Sequence, residues 1–381
     1  MSKIRLSKSN IGIEEKEAVS RVLDSEFLGM GSETKSFEDE LGIYIGGHRE
    51  VISVNSGTSA LNLALSCLDI GTGDEVIVPS LTYVASYQSI ATCGAIPVSC
   101  DVDLNTGFIC SKAAEKLVTQ KTKAIMPVHY ASQSLGIDSI YNLAQRYGLR
   151  VIEDAAHAFG CVYEEKKIGS FGDVVCFSFD GIKNITCGEG GAIVTGDTFL
   201  AGRLRDARLL GVEKDSEARF KGQRSWTFDV KNLGYRYHLS NIMAAVGREQ
   251  LKKIDGFSQK RRACALTYLR CLADIPEVTL FHHTYDSVIP HIFPIRVDKA
   301  IRAELREFLS SSDIETGLHY YPNHKLTLFN TSTDSCPNVE IIVDEIITLP
   351  LHVDLTTTDI ERVVGAIKCF FGQASKNVTK S

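Results

Sequence analysis

Val151-Ile152-Glu153-Asp154-Ala155-Ala156-His157-Ala158-Phe159-Gly160 starts as a short apolar run and ends on an acid followed by small residues. A run without polar alternation reads as a strand covered on both faces rather than one with a wet side. Residues 51–55, 75–79, 96–100, 124–128, 174–179 and 192–195 repeat the pattern and read as further buried strands. Helical periods lie between several of them, at 59–68, 84–93 and 140–147. Strands alternating with helices predict an α/β chain, its large domain holding a mostly parallel seven-stranded sheet between helices. The last two strands follow each other so closely that the sheet is expected to be mixed.

Working outward, a long helical pattern runs from residue 239 to about 272 through Ile242, Val246, Leu251, Ile254 and Leu266, with Gly256 as the expected bend. Beyond it, 292–297 and 346–349 read as strands, and 300–310 and 358–370 as helices. This alternation predicts a smaller C-terminal α/β domain. The expected division is residues 1–255 for the large domain and 256–381 for the small one, within the reach of a 381-residue chain.

An apolar fraction of 44% and a charged fraction of 23% fit a soluble globular protein. A net charge of −6 argues against a nucleic-acid-binding surface, which needs basic groups to displace counterions from phosphates. The eleven cysteines include no Cys-x-x-Cys pair, and Cys67, Cys176 and Cys264 sit in apolar segments. They read as small buried hydrophobes in a reducing compartment, not as a disulfide or metal framework. The first residues lack the apolar core of a signal peptide, and no run approaches the ~20 apolar residues that span a bilayer. A cytoplasmic, metal-free protein is expected.

Three stretches carry chemistry. In Phe177-Ser178-Phe179-Asp180-Gly181-Ile182-Lys183-Asn184, a strand ends at Ser178 and a lysine follows in a tight loop, before the glycine-rich turn Gly188-Glu189-Gly190-Gly191. A lysine there is either a surface side chain or an amine nucleophile whose surroundings lower its pKa. Asp154 closes a buried strand, at the edge where open α/β sheets bind ligands. It must be paired, because an isolated buried carboxylate is costly; an N-cap, a structural ion pair or the pyridinium nitrogen of a cofactor would each serve. Asn55-Ser56-Gly57-Thr58-Ser59 is a strand-to-helix turn, fit either to cap a helix or to hold a phosphate at its N-terminus.

In order and spacing, these stretches resemble the DegT/DnrJ/EryC1/StrS family of pyridoxal-phosphate-dependent sugar aminotransferases, of the aspartate-aminotransferase fold. The resemblance covers nearly the whole chain. It includes Gly73-Asp74-Glu75-Val76-Ile77-Val78-Pro79 with Thr82-Tyr83, then Pro127-Val128-His129-Tyr130. It continues through Gly234-Tyr235-Arg236-Tyr237-His238-Leu239-Ser240, His319-Tyr320-Tyr321-Pro322 and Leu349-Pro350-Leu351.

By position, the resemblance implies that Lys183 bonds covalently to pyridoxal 5'-phosphate and that Asp154 pairs with its ring nitrogen. Tyr83 would stack on the ring, where it could otherwise be a core aromatic. Ser178, with Gly57, Thr58 and Ser59, would hold the phosphate. His157 stands where relatives often have glutamine, beside the ring oxygen, or is an interior imidazole. Arg236 stands where many relatives have an asparagine that reaches the phosphate in the neighbouring subunit, which implies a homodimer with shared sites. His319 and Tyr320 match a motif near the substrate, or form a packed turn.

The implied activity moves an amino group from L-glutamate to a nucleotide-linked keto-deoxysugar, with a 4-keto acceptor favoured over a 3-keto one. Its implied setting is surface polysaccharide synthesis, in lipopolysaccharide or O-antigen. The alternatives are a pyridoxal-phosphate lyase or dehydratase acting on a sugar nucleotide, and a non-catalytic regulatory relative; retention of the lysine argues against the dehydratase branch.

Overall fold

In the computed structural model, which describes residues 2–224, 226–330 and 336–378, seven strands form the large sheet. They are β1 (Glu50–Val54), β2 (Glu75–Pro79), β3 (Ile96–Cys100), β4 (Thr122–Ile125), β5 (Arg150–Asp154), β6 (Val174–Ser178) and β7 (Gly191–Thr195). Their order is β1-β7-β6-β5-β4-β2-β3. β7 alone is reversed, antiparallel to both β1 and β6, while the other neighbours pair in parallel. The expected mixed, mostly parallel sheet is therefore present. β7 returns antiparallel to β6 across a twelve-residue loop that holds no helix.

The pleat explains why these strands lack polar alternation. Val174, Cys176, Ile193, Ile52 and Val54 point into one apolar cluster, and Val175, Phe177, Ala192, Val194 and Val51 into another on the opposite face. Helix α3 (Gly57–Cys67) covers the first face with Ala60, Leu61 and Ala64, and Leu200 and Leu204 join it. Phe37 and Leu41 of α2 (Ser32–Ile45) cover the second, with Ala244 and Leu251. Cys67, Cys176 and Cys264 are buried as expected.

The C-terminal part forms a second sheet of Thr279–Leu280, Phe293–Arg296 and Ile346–Leu349, all antiparallel. Helices Lys299–Ser311 and Thr357–Val378 accompany it. Phe293, Ile295, Ile347 and Leu349, with Ile360, Val363 and Ile367, join the same core cluster as Phe37 and Phe177. The two sheets thus share one continuous apolar interior.

The structure adds to and alters the elements read from sequence. Helices α1 (Ile13–Asp24) and α2 precede the first strand, where no element was expected. The long helical stretch is two helices, Asn241–Lys252 and Ile254–Leu272, and the break falls at Lys253 rather than Gly256. Lys253 Nζ reaches both Glu14 and Glu15 on α1, so a contact from the far end of the chain marks the break. Among the described residues, no helix is long and apolar enough to cross a membrane.

Candidate active site

Four strand ends converge on one cleft. β1, β2, β5 and β6 are parallel to one another, so their carboxyl edges, and the turns that follow, line up on one side of the sheet. A cleft of about 420 Å³ opens there, lined by Gly57, Thr58, Tyr83, Asp154, His157, Ser178, Lys183, His319 and Tyr320. Residues that lie up to 263 positions apart in sequence, from Gly57 to Tyr320, are brought together.

At the phosphate-sized end, Ser56 caps α3 and accepts a hydrogen bond from the Ser59 amide at 3.0 Å. Gly57 then allows a close approach. A Cβ on it would lie 2.7 Å from Ser178 Cβ and 3.1 Å from Ser178 Oγ. The turn behind is equally tight, because a Cβ on Gly191 would stand 2.5 Å from the Ser56 carbonyl oxygen. Together the glycines press the helix N-terminus, with its free N–H groups, against the Ser178 hydroxyl, an arrangement suited to a phosphate dianion. Ser59 does not line the cleft: its hydroxyl donates to Asn55 Oδ1 at 2.6 Å and is committed to the turn.

Asp154 is only 7% exposed, and that decides how its charge must be handled. It accepts from Ser86 Oγ at 2.7 Å and from the Ala156 amide at 3.2 Å, both neutral donors. Ser86 is itself held by Thr82 Oγ1 at 2.8 Å. A buried carboxylate with neutral partners calls for a cation, and a protonated ring nitrogen in the cleft would supply one.

Lys183 sits in the loop between β6 and β7. Asn184 anchors the loop by donating to the carbonyls of Phe159 (3.1 Å) and Ile289 (3.3 Å). Burial lowers the Lys183 pKa to about 8, and the nearby carboxylates of Asp154 and Asp180 pull it partway back. At pH 7 a pKa of about 8 leaves roughly a tenth of the amine neutral, against about three parts in ten thousand at 10.5. Its Nζ lies 3.5 Å from Nε2 of His291.

Tyr83 is 60% exposed, which sets aside the reading as a core aromatic; its ring lies 5.7 Å from that of Tyr320 at the mouth. His157 is buried. Its Nε2 bonds to Tyr320 Oη at 2.9 Å, and burial, then the nearby Lys183, keeps it neutral by holding its pKa well below the usual value. His319 pairs with Thr348 Oγ1 at 2.9 Å, and burial lowers its pKa to about 4. Arg236 lies outside the cleft of its own chain. It is exposed on a segment that pairs with Leu209. The sequence reading missed Ser86, Asp180, Glu189 and His291. The first was legible only as a helix serine, and the last only as a histidine just before an apolar strand.

Fold and cleft set a half-buried amine of lowered pKa beside a helix N-terminus suited to an anion. The chain belongs to the DegT/DnrJ/EryC1/StrS aminotransferase family, whose sequence model matches residues 9–368. Three solved structures show how close the likeness runs. S. venezuelae DesV, in complex with a ketimine intermediate, is 33% identical over 97% of this chain and 99% of its own, with a TM-score of 0.88. Helicobacter pylori PseC, an aminotransferase of pseudoaminic acid biosynthesis, is 30% identical over 98% and 100%, with a TM-score of 0.90. The sugar aminotransferase CalS13 from Micromonospora echinospora is 29% identical over 96% and 99%, with a TM-score of 0.88.

The protein is thus a transaminase, and its cofactor is pyridoxal 5'-phosphate. The residues present fit that group: buried Asp154 needs a cation, and the Gly57–Ser178 cradle needs an anion. Gly57→Ala should weaken cofactor binding about tenfold or more, because the added methyl drives Ser178 out of place at a cost of roughly 1–3 kcal/mol. Titration of the cofactor-free protein with pyridoxal phosphate measures this, and an unchanged affinity would remove Gly57 from the phosphate site.

Proposed function

We propose that the protein transfers the amino group of L-glutamate to the C4 keto group of a nucleotide-linked deoxysugar, for surface polysaccharide synthesis in the cytoplasm. The observation that carries this reading is the open mouth of the cleft, where exposed Tyr83 stands against Tyr320, whose ring meets that of His319. Bound pyridoxal phosphate would take up much of the 420 Å³ cleft. An acceptor's reacting carbon can then enter while a bulky nucleotide lies over Tyr83 outside. The likeness to CalS13, a sugar aminotransferase, and to PseC supports a sugar acceptor.

When bound, pyridoxal phosphate supplies a carbonyl that condenses with amines and a ring that takes up the electrons of a broken C–H bond. In this reading Lys183 holds the cofactor until the donor amine displaces it. Its freed amine, neutral in useful fraction, then moves the proton from the donor's α-carbon. Asp154 keeps the ring nitrogen protonated, Ser178 and the start of α3 hold the phosphate, and Tyr83 covers the ring. Tyr320 and His157, bonded to each other, close one wall against water. The division into large and small domains at residue 255 belongs to the same reading, with the cleft wall from His319 and Tyr320 supplied by the small domain.

Two measurements test it. Glutamate with a 4-keto sugar nucleotide should exceed glutamate with small 2-oxo acids by at least a hundredfold in kcat/KM; the reverse preference would overturn the acceptor assignment. A homodimer is expected, with exposed Arg236 reaching the partner's cofactor phosphate. Arg236→Ala should then raise the cofactor Kd about tenfold, through loss of a charge-assisted bond, in a species that sediments as a dimer. A fully active monomer would refute the shared site.

A further inference from the structure

His291 stands against the working amine, and no role above uses it. Its Nε2 lies 3.5 Å from Lys183 Nζ. That is long for a hydrogen bond, as contacts in unliganded sites often are. The residue is 4% exposed, and its ring packs on that of His157, with centroids 4.4 Å apart at 44°. The backbone beneath is fixed from two sides. Ser132 Oγ accepts from the His291 amide at 3.0 Å and donates to the His157 carbonyl at 2.6 Å, tying the two histidines together. Arg261 Nη1 donates to the carbonyls of Pro290 and His291, each at 3.3 Å. A buried arginine and a serine thus hold one imidazole in place at the lysine.

We infer that His291 is the positioning residue for Lys183: its Nε2 accepts a hydrogen bond from the amine whenever Lys183 is unlinked from the cofactor, and so turns the amine's lone pair into the cleft. This rests on the reading of Lys183 as the working amine. The direction of the bond follows from chemistry. While Lys183 is charged its ammonium has only donors, so Nε2 accepts and the ring proton sits on Nδ1. Nδ1 is buried and has no partner among the described residues. An unsatisfied buried group needs a reason, and a tautomer fixed by Lys183 provides one. The ring also stays neutral. Burial holds its pKa well below the ordinary histidine value, and Lys183, His157, Arg261 and His319, which face it, push the same way. A neutral acceptor leaves the lysine proton free to depart, where a carboxylate in the same place would bind it as a fixed ion pair.

The test compares His291→Phe, which keeps a ring without the acceptor, with His291→Gln, which restores an acceptor at similar reach. In the cofactor-free full-length protein, the pH dependence of Lys183 carbamylation by cyanate, read by peptide mass spectrometry, gives the amine's midpoint. Loss of an acceptor that favours the charged form should lower this midpoint by about half a unit or more in His291→Phe. In the loaded enzyme kcat should fall about tenfold, the worth of one hydrogen bond to a charged group, with the donor KM within about twofold. His291→Gln should return kcat to within about threefold of wild type. A His291→Phe protein with wild-type midpoint and kcat would overturn the inference, as would a folded His291→Gln protein as impaired as the phenylalanine variant. Turnover retained by Lys183→Ala would instead fail the Lys183 reading itself, and this inference with it.

Discussion

Lys183→Ala is expected to lower turnover by on the order of a thousandfold or more, the range in which a positioned acid–base group contributes, while the protein still folds and still binds the cofactor's phosphate. The Lys183 loop is held independently by Asn184 on Phe159 and Ile289, and by the Cys187 amide on the Phe179 carbonyl at 2.9 Å. The variant removes both the covalent anchor and the proton carrier, so added small amines should restore part of the rate. Wild-type kcat should rise with pH toward about 8 and then level, because the freed amine must be neutral to act and burial has brought its pKa there. A variant with normal turnover, or a profile flat across that range, would remove Lys183 from the mechanism.

Asp154→Asn is the second large effect. The amide has the same shape and can still accept from Ser86 Oγ, so stability should change little. What is lost is the negative charge. Removing one partner of a buried ion pair costs about 3–5 kcal/mol, which converts to a fall of roughly two to four orders of magnitude if the loss appears in the transition state. Cofactor affinity should drop as well. The measurement is kcat for both half reactions together with a far-ultraviolet melt. A rate within twofold of wild type would end the role given to Asp154.

Both residues are legible in the sequence because each ends or follows a strand buried on both faces. Val151–Ile152 and Val174–Phe177 cannot be anything but interior, so the polar residues just beyond them mark the sheet edge. Gly57 is legible for a related reason, as the turn from a buried strand into a helix. Other parts are not. The break at Lys253 falls where its side chain meets Glu14 and Glu15, and no local period reports a partner that far away. His291 lies within Ile289-Pro290-His291-Ile292, where an imidazole reads as core. Only the fold shows that Lys183 lies against it. Ser86 and Ser132 act by aiming other groups, and a serine carries no mark of that in sequence. Arg236 and Ser59 were placed in the site by resemblance. Within one chain the first faces outward and the second is spent on its own turn.

Borohydride reduction of the cofactor-loaded protein, followed by peptide mapping, tests the central claim most directly. A phosphopyridoxyl group should be fixed on the peptide that carries Lys183, in near-stoichiometric amount and on no other lysine. The same label on a different lysine, or a fully active protein that takes up no label at all, would contradict the account.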